Sequence, residues 1–543
     1  MQTDYYSITV SAHIFESLFT YDLLASPLQI VPLTAAGLAE PSDGFRTWTI
    51  RLRPGIRFHD HPAFGGRVRE LTAEDYVFSF KRVADPQVRS ALTWLEEAAP
   101  LGLAELVKRA RDSGRPLDYD RPVPGLRALD RYTLQIRTEE PRPHLPLRLA
   151  TEDTGALARE IVQQYGLSVS EHPVGTGPFR LSHWRRGSRI VLERNPHYRE
   201  RFYAASPTAG DVEGQRIAAR LAGRRLPMVD RVEIAVIPEE QPRWLEFLGG
   251  RLDQLLVPGS FVAQAAPGGK VAPYLGRRGV RVWQGLTPSV RLMWFNMEHP
   301  LVGGYAPAQV ALRRAIGLGM NCDRDIHLVY GGQSRIAHTV FAPHQSGFDA
   351  TQRSEMGLYD PARAKALLDL YGWLDRDGDG WRERPEGSPL VLERSTQTDQ
   401  RARRLDEFFV RDMRAIGLRV VLRPGSFQEN AKAGRAGKLM MWALGFGASV
   451  PDGHSYLTRY YGKSRTFARF RLPAMDRLYE RIALLPDGEE RLVLMRQAER
   501  LAIAYMPYKF TSQEVETHLT QARLVGFRQP AFRNDWFHLV DIE

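Results

Sequence analysis

The chain has 543 residues, 43% of them hydrophobic and 25% charged, with a formal net charge of +11. That length exceeds one ordinary core and points to two or three domains. No run of 18 apolar residues predicts a membrane-spanning helix, and the single cysteine, Cys322, excludes an internal disulfide framework and a cysteine-cluster metal site.

Only eight of the 74 basic residues are lysine, and the arginines are spread along the chain without a long basic run. This reads as a compositional bias, and no nucleic-acid partner is expected. The opening MQTDYYSITVSAHIFESLFTYD has no basic segment followed by an apolar one, so no signal peptide is predicted.

In chain order, residues 14–20 predict a helix ahead of Tyr21-Asp22. Residues 47–86 follow as TWTIRLRPGIRFHDHPAFGGRVRELTAEDYVFSFKRVADP. Trp48, Ile50 and Leu52 alternate as in a strand, Pro54-Gly55 turns the chain, and Ile56 and Phe58 predict a second strand. A helix opens at Thr72 with Asp75 as capping-box partner. Val77, Phe80 and Ala84 keep helical spacing, and Asp85-Pro86 ends the element. His59-Asp60-His61 has no further metal ligand nearby and is expected as a solvated loop.

Residues 103–113 predict a charged helix. HPVGTGPF at 172–179 packs Gly and Pro densely, which means a tight backbone crossing. Strands are predicted at 189–195 and 226–238, a surface insertion at 204–226 and a helix over 243–257. LMWFN at 292–296 predicts another strand, and the pattern turns helical from about 308. Cys322, in GMNCDRD, reads as a small buried residue. Asp360 as N-cap, Pro361 at N1 and Gly372 past the end bracket a helix, with Ala364, Leu367, Leu368 and Tyr371 on one face. Trp442, in the apolar strand LMMWAL, is expected in the core. Strands alternating with helices give an α/β fold class.

No HExxH, GxSxG, Walker or GxGxxG motif is present, so neither an enzyme nor a cofactor is expected. Asp375, Asp377, Asp379, Gly380 and Glu386 match the calcium-loop spacing D-x-D-x-D-G-x5-E. Pro385 and the lack of a clear following helix stand against it. Asp-Gly pairs also make plain turns, so a structural calcium loop and a simple turn are both open.

Several segments, in order, resemble the oligopeptide/dipeptide-type solute-binding proteins of bacterial ABC importers, extracellular solute-binding protein family 5. They are IFESLFTYD, TWTIRLRPGIRFHD with LTAEDYVFSFKR, PVGTGPFRLSHWRRGSRIVLERNPHY, LPMVDRVEIAVIPE and YDPARAKALLDLYGW. The likeness covers nearly the whole chain from His13. It implies the two-lobed type II periplasmic-binding-protein fold with an extra subdomain inserted in the first lobe. On that pattern lobe I comprises residues 1–25, 175–289 and 509–543, the insertion 26–174, and lobe II 290–508. It also implies a periplasmic monomer that encloses a peptide-like or other mid-sized solute and delivers it to ABC permease subunits in the inner membrane. A secretory signal would precede Met1, so the start is expected to be truncated or set too late. The alternative is a cytoplasmic ligand-sensing module that uses the same fold without transport.

The resemblance also bears on the ligand. Peptide binders of this family carry a stretch like GW-x-AD-Y-PDP, in which the Asp bridges the ligand's α-ammonium and the Trp walls the pocket. Residues 445–453 read GFGASVPDG, so Phe446 stands for the Trp and Ser449 for the Asp. An uncharged Ser449 favours a ligand without a free α-amine. The residue reads equally as a turn position before Pro451. Asp452 matches a position that need not face the ligand. Trp294 and Asn296, in MWFN, fall where the chain would cross between lobes, and Trp294 reads either as a ligand wall or as core. The candidate ligand-binding residues are therefore Phe446, Ser449, Trp294, Asn296 and Asp452.

Overall fold

The computed structural model describes residues 5–88, 90, 95 and 98–543. A seven-stranded sheet runs in the order Gln254–Leu256, Tyr508–Thr520, Arg281–Phe295, Met441–Gly447, Val391–Thr396, Arg419–Pro424, with Ser334–Ile336 also on Tyr508–Thr520. The two longest strands, Arg281–Phe295 and Tyr508–Thr520, pair antiparallel, and their register slips between Leu286 and Val290. Pro288 lies in the slip, where a residue without an N–H costs the ladder least.

Beyond the slip the strand feeds two cores by simple alternation. Val290, Leu292 and Trp294 join Phe341, Tyr456, Trp442 and Phe510 on one face. Met293 and Phe295 join Leu312, Leu392, Phe409 and Met441 on the other. Before the slip, Leu519 and Leu255 pack under the helix Glu240–Leu248 through Trp244 and Phe247.

A separate four-stranded sheet runs Glu40–Ser42, Thr47–Arg51, Thr133–Arg137, Leu126–Asp130. Its core holds Trp48, Ile50, Phe80, Leu134 and Ile136, and reaches from Leu18 to Val174. The helix Ala73–Ala84 closes it, with the Thr72 N–H donating to Asp75 Oδ2 at 2.8 Å as the capping box requires. The expected strand at Ile56 and Phe58 shrinks to one bridge, Arg57 with Glu70. The His59 N–H is drawn away to the Gly175 carbonyl at 2.8 Å. His59 is accordingly buried and not solvated, with Nε2 3.1 Å from the Gly177 carbonyl.

The glycine-rich crossing is as tight as its composition requires. A Cβ on Gly175 would lie 2.0 Å from the Ile14 carbonyl oxygen, and one on Gly177 2.5 Å from that of His13. The chain then enters a three-stranded sheet, Phe179–Arg185, Arg189–Arg194 and Arg231–Ala235.

Four expectations need correction or extension. The first helix is Tyr5–Ser11, and Phe19–Tyr21 is a strand paired with Ile30–Pro32. Residues 204–226 hold the helix Val212–Leu221, whose Ile217 and Leu221 pack against Leu24 and Val525, so they are not a loose surface insertion. The stretch 243–257 splits at Gly249-Gly250 into the helix Glu240–Leu248 and the strand Gln254–Leu256. The helix after Asp360 is Pro361–Leu370, with Asp360 Oδ1 accepting from the Arg363 N–H at 2.9 Å.

Candidate ligand cleft

The strand Met441–Gly447 pairs with residues 289–295 along its whole length. On its other side Val391–Thr396 pairs with it only at Met441 and Trp442. Among the described residues, the edge from Ala443 to Gly447 therefore carries no strand partner. Just past it, Ala448 packs against both large cores, that of residues 18–174 and that of residues 290–510. Its N–H donates to the Pro288 carbonyl at 2.7 Å, which ties this turn to the register slip. The two bodies also meet where His144 Nε2 donates to the Leu485 carbonyl at 3.1 Å.

The two faces of this edge differ. Phe446 is half-buried, with the Arg459 guanidinium 4.7 Å from its ring centre and 3.8 Å from that of Tyr456. The Tyr456 hydroxyl donates to the Phe446 carbonyl at 2.7 Å. On the opposite face Gly445 and Gly447 are exposed, and a Cβ on Gly445 would meet nothing nearer than the Val290 carbonyl oxygen at 3.8 Å. Beside Gly445 lies a cavity of about 250 Å³ whose wall includes Arg291, Asp325, Arg394, Arg401, Phe409 and Ser512.

The expected site residues separate. Phe446 and Ser449 both lie along this seam; Ser449 is exposed and its hydroxyl makes no hydrogen bond among the described residues. Asp452 is buried and held by Arg491 through bonds of 2.7 and 2.9 Å. Burial alone would raise its carboxyl, but Arg491 and the nearby His144 and His454 outweigh that and hold it well below the usual carboxylate range. Trp294 is 0% exposed and stacks on Phe467 at 5.5 Å, which fits its core reading. Asn296 is buried, with its side chain bonded within the protein. Its amide donates to the carbonyls of Gly437 and Leu439 at 3.0 and 3.1 Å, and its oxygen accepts from the Glu298 N–H at 3.0 Å. Trp442 and Cys322 are buried, as expected.

In the acidic loop, Asp375, Asp377 and Asp379 converge with Glu383 and not with Glu386; their oxygens lie within 4.8 Å of one another. Glu386 instead accepts from the Ser388 hydroxyl at 2.9 Å. Asp375 accepts the N–H groups of Gly378 and Gly380 at 2.8 and 3.0 Å, as a turn-forming Asp does.

On the facing body Glu152 is half-buried and accepts from the Asn534 N–H at 2.7 Å. Burial first, and then Asp535, pushes its carboxyl up to about 7. Burial also raises the Tyr21 phenol, with Glu152, Asp153 and, across the seam, Asp452 adding to the effect. Sequence reasoning missed Arg394, Ser512 and Glu152. Arg394 left a signal: it shares a strand face with the core residue Leu392, where a charge is out of place.

The sequence matches the bacterial extracellular solute-binding proteins, family 5 Middle, over residues 29–468. The chain belongs to this family. It is 23% identical over 547 residues to Di/tripeptide-binding protein 2 of Pseudomonas aeruginosa, covering 95% of this chain and 89% of that protein. It is 22% identical over 516 residues to Heme-binding protein A of Haemophilus influenzae, covering 93% and 83%. The solved structure of DppA from Helicobacter pylori in complex with peptide STSA superposes with a TM-score of 0.73 at 20% identity, covering 100% and 94%. The fold is thus the two-lobed type II form with a subdomain inserted in the first lobe. This family-5 protein is the solute-binding component of an ABC importer.

Proposed function

We propose that this binding protein captures a peptide-like ligand in the periplasm, as a monomer, and hands it to the permease without chemistry of its own. The observation that carries this is the unpartnered strand edge from Ala443 to Gly447, set beside the turn where the two bodies meet. Such an edge leaves alternate N–H and C=O groups free, and an extended peptide backbone satisfies them by adding a strand. The relative from Pseudomonas aeruginosa is named as a di/tripeptide-binding protein, which supports the same ligand class.

In this reading the chain crosses between lobes at the register slip, near residues 287–289 and again near 513–515. Ligand contacts made with both lobes favour the closed form, so closure is a population shift about these crossings. This reading keeps the lobe division that the resemblance implies and sets the second crossing a few residues later.

Ser449 offers no charge to a ligand ammonium, so the α-amine is dispensable. A thermal-shift panel tests this with alanine tri- and tetrapeptides, the same peptides N-acetylated, glutathione and haem. Peptides are expected to raise the midpoint, and acetylation to change affinity by no more than about twofold. Loss of the shift on acetylation would transfer the ammonium to a carboxylate such as Glu152. A shift with haem alone would end the peptide reading.

A further inference from the structure

Arg394 lies on the strand Val391–Thr396 and is 6% exposed. Its Nε has no hydrogen-bond partner, and among the described residues its one ion partner, Asp406, stands 3.7 Å away with Oδ1 equally unpartnered. Its guanidinium lies 4.3 Å from the Phe409 ring centre. Ser512, on the same cavity wall and 1% exposed, also leaves its hydroxyl without a partner. Buried donors are almost always paired. Two that are not, lining one cavity, suit an acceptor brought by the ligand.

The other charges on the wall are committed. Arg291 pairs with Glu514, donates to Ser334 Oγ at 2.7 Å and lies 4.1 Å from the Tyr330 ring centre. Asp325 and Asp412 each pair with Arg324 at 2.6 Å. Asp399 caps the helix Gln400–Ala415, accepting from the Ala402 N–H at 3.1 Å. Arg401, in the first turn of that helix, forms no ion pair among the described residues. Asp325 and Asp412 share one guanidinium and Asp399 occupies the helix N-terminus, so the wall as a whole is mixed in charge; the cationic donors on it without a hydrogen-bond partner among the described residues are those of Arg394 and Arg401. Burial pulls the Arg394 guanidinium below its ordinary value, with Asp406 and Asp325 working against the shift.

The cavity opens at the strand edge, because Val391–Thr396 stops pairing at Trp442. A ligand strand on that edge directs successive side groups to opposite faces. The group beside Phe446 meets Arg459 and Tyr456. The group beside Gly445 faces the cavity side, where Gly445 puts no side chain of its own.

We propose that this cavity is a pocket for an acidic side chain of an extended peptide ligand, whose carboxylate is held by Arg394 and Ser512 with Arg401 at the mouth. The inference rests on the strand-edge reading above. The volume, about 250 Å³, is ample for an acidic side chain.

Calorimetry with defined probes tests it. The probes are N-acetylated alanine tetrapeptide amides with one Glu scanned through the four positions, their Gln counterparts, and free tetra-alanine. Wild type is compared with Arg394→Met, Ser512→Ala and Gly445→Leu. The last two disturb no observed hydrogen bond, so they report even if Arg394→Met folds poorly. At one register the Glu probe is expected to bind wild type about tenfold or more tighter than its Gln twin. That preference should vanish in Arg394→Met and Gly445→Leu and shrink about threefold in Ser512→Ala. Equal binding of the Glu and Gln probes, or a preference that survives Arg394→Met, overturns the pocket while leaving the edge in place. Binding of free tetra-alanine together with rejection of every amide assigns the carboxylate to a chain terminus and also overturns it. Binding of no probe removes the strand-edge reading and the pocket with it.

Discussion

The second lobe buries two arginine–aspartate pairs that differ in how completely their hydrogen bonds are made. Asp452 and Arg491, 7% and 2% exposed, meet through two bonds of 2.7 and 2.9 Å. Asp452 also accepts from the Ser346 hydroxyl and the His454 N–H, both at 3.1 Å, and Arg491 reaches Asp487 at 3.1 Å and the Ile482 carbonyl at 3.3 Å. Arg394 and Asp406 are just as buried but stand 3.7 Å apart, each with an unpartnered atom. Charge and burial are alike in the two pairs, so neither marks a site. Saturation separates them: the first pair fixes the turn after Pro451, and the second keeps donor capacity toward a cavity.

The largest test breaks the saturated pair. Arg491→Met leaves Asp452 buried without its counter-charge, and a loss of about 3–5 kcal/mol in urea denaturation is expected. A loss below about 1 kcal/mol would erase the contrast. Arg394→Met is the matching change in the other pair. It deletes donors that make no hydrogen bond in the protein but also takes away the ion partner of Asp406 at 3.7 Å, so without peptide the loss should be clearly smaller than in Arg491→Met, about 1–2 kcal/mol. A cost as large as that of Arg491→Met would make Arg394 a structural residue and remove the basis for the pocket.

What the sequence disclosed and what it withheld divide along the range of the interactions. The Thr72–Asp75 cap, the Asp360 cap and the Gly175–Gly177 crossing were legible because a few adjacent residues decide them. The strand expected at Ile56 and Phe58 was lost to a bond from His59 to Gly175, more than a hundred residues away in sequence. Alternation in MWFN placed Trp294 opposite Met293, but not which face met a ligand, since that depends on strand partners at 441–447 and 508–520. The segment GFGASVPDG did lead to the seam, through Phe446 and Ser449. Asp452 already read as a position that need not face the ligand, but its partner was hidden, because Arg491 lies 39 residues further on. The cavity was out of reach for the same reason: Asp325, Arg394 and Ser512 come together only through the sheet.

The smallest expected effect links the saturated pair to pH through its neighbour His454. That ring stacks on Tyr479 at 4.1 Å, and its Nε2 donates to the Tyr479 carbonyl at 3.1 Å. Burial pushes its pKa from 6.5 down to about 4, with Asp452 working against the shift. The folded state therefore favours the neutral ring, and between pH 6.5 and about 4 the unfolded chain takes up the proton first. Stability should fall as pH drops through that window and level off below it. Asp452 contributes in a different range, since a depressed carboxyl keeps its stabilisation until pH falls below its unfolded value of 3.8. His13 and His59 are also held down to about 4, so the quantity to read is the difference between wild type and His454→Gln. Gln keeps a donor for the Tyr479 carbonyl and cannot take a proton. The variant should lose on the order of 1 kcal/mol less than wild type between pH 7 and pH 4, the residue keeping some contact with solvent that screens the effect. Parallel pH profiles for the two proteins would mean that His454 titrates as it does in water, and that the surroundings of Asp452 are wetter than its bonds to Arg491 imply.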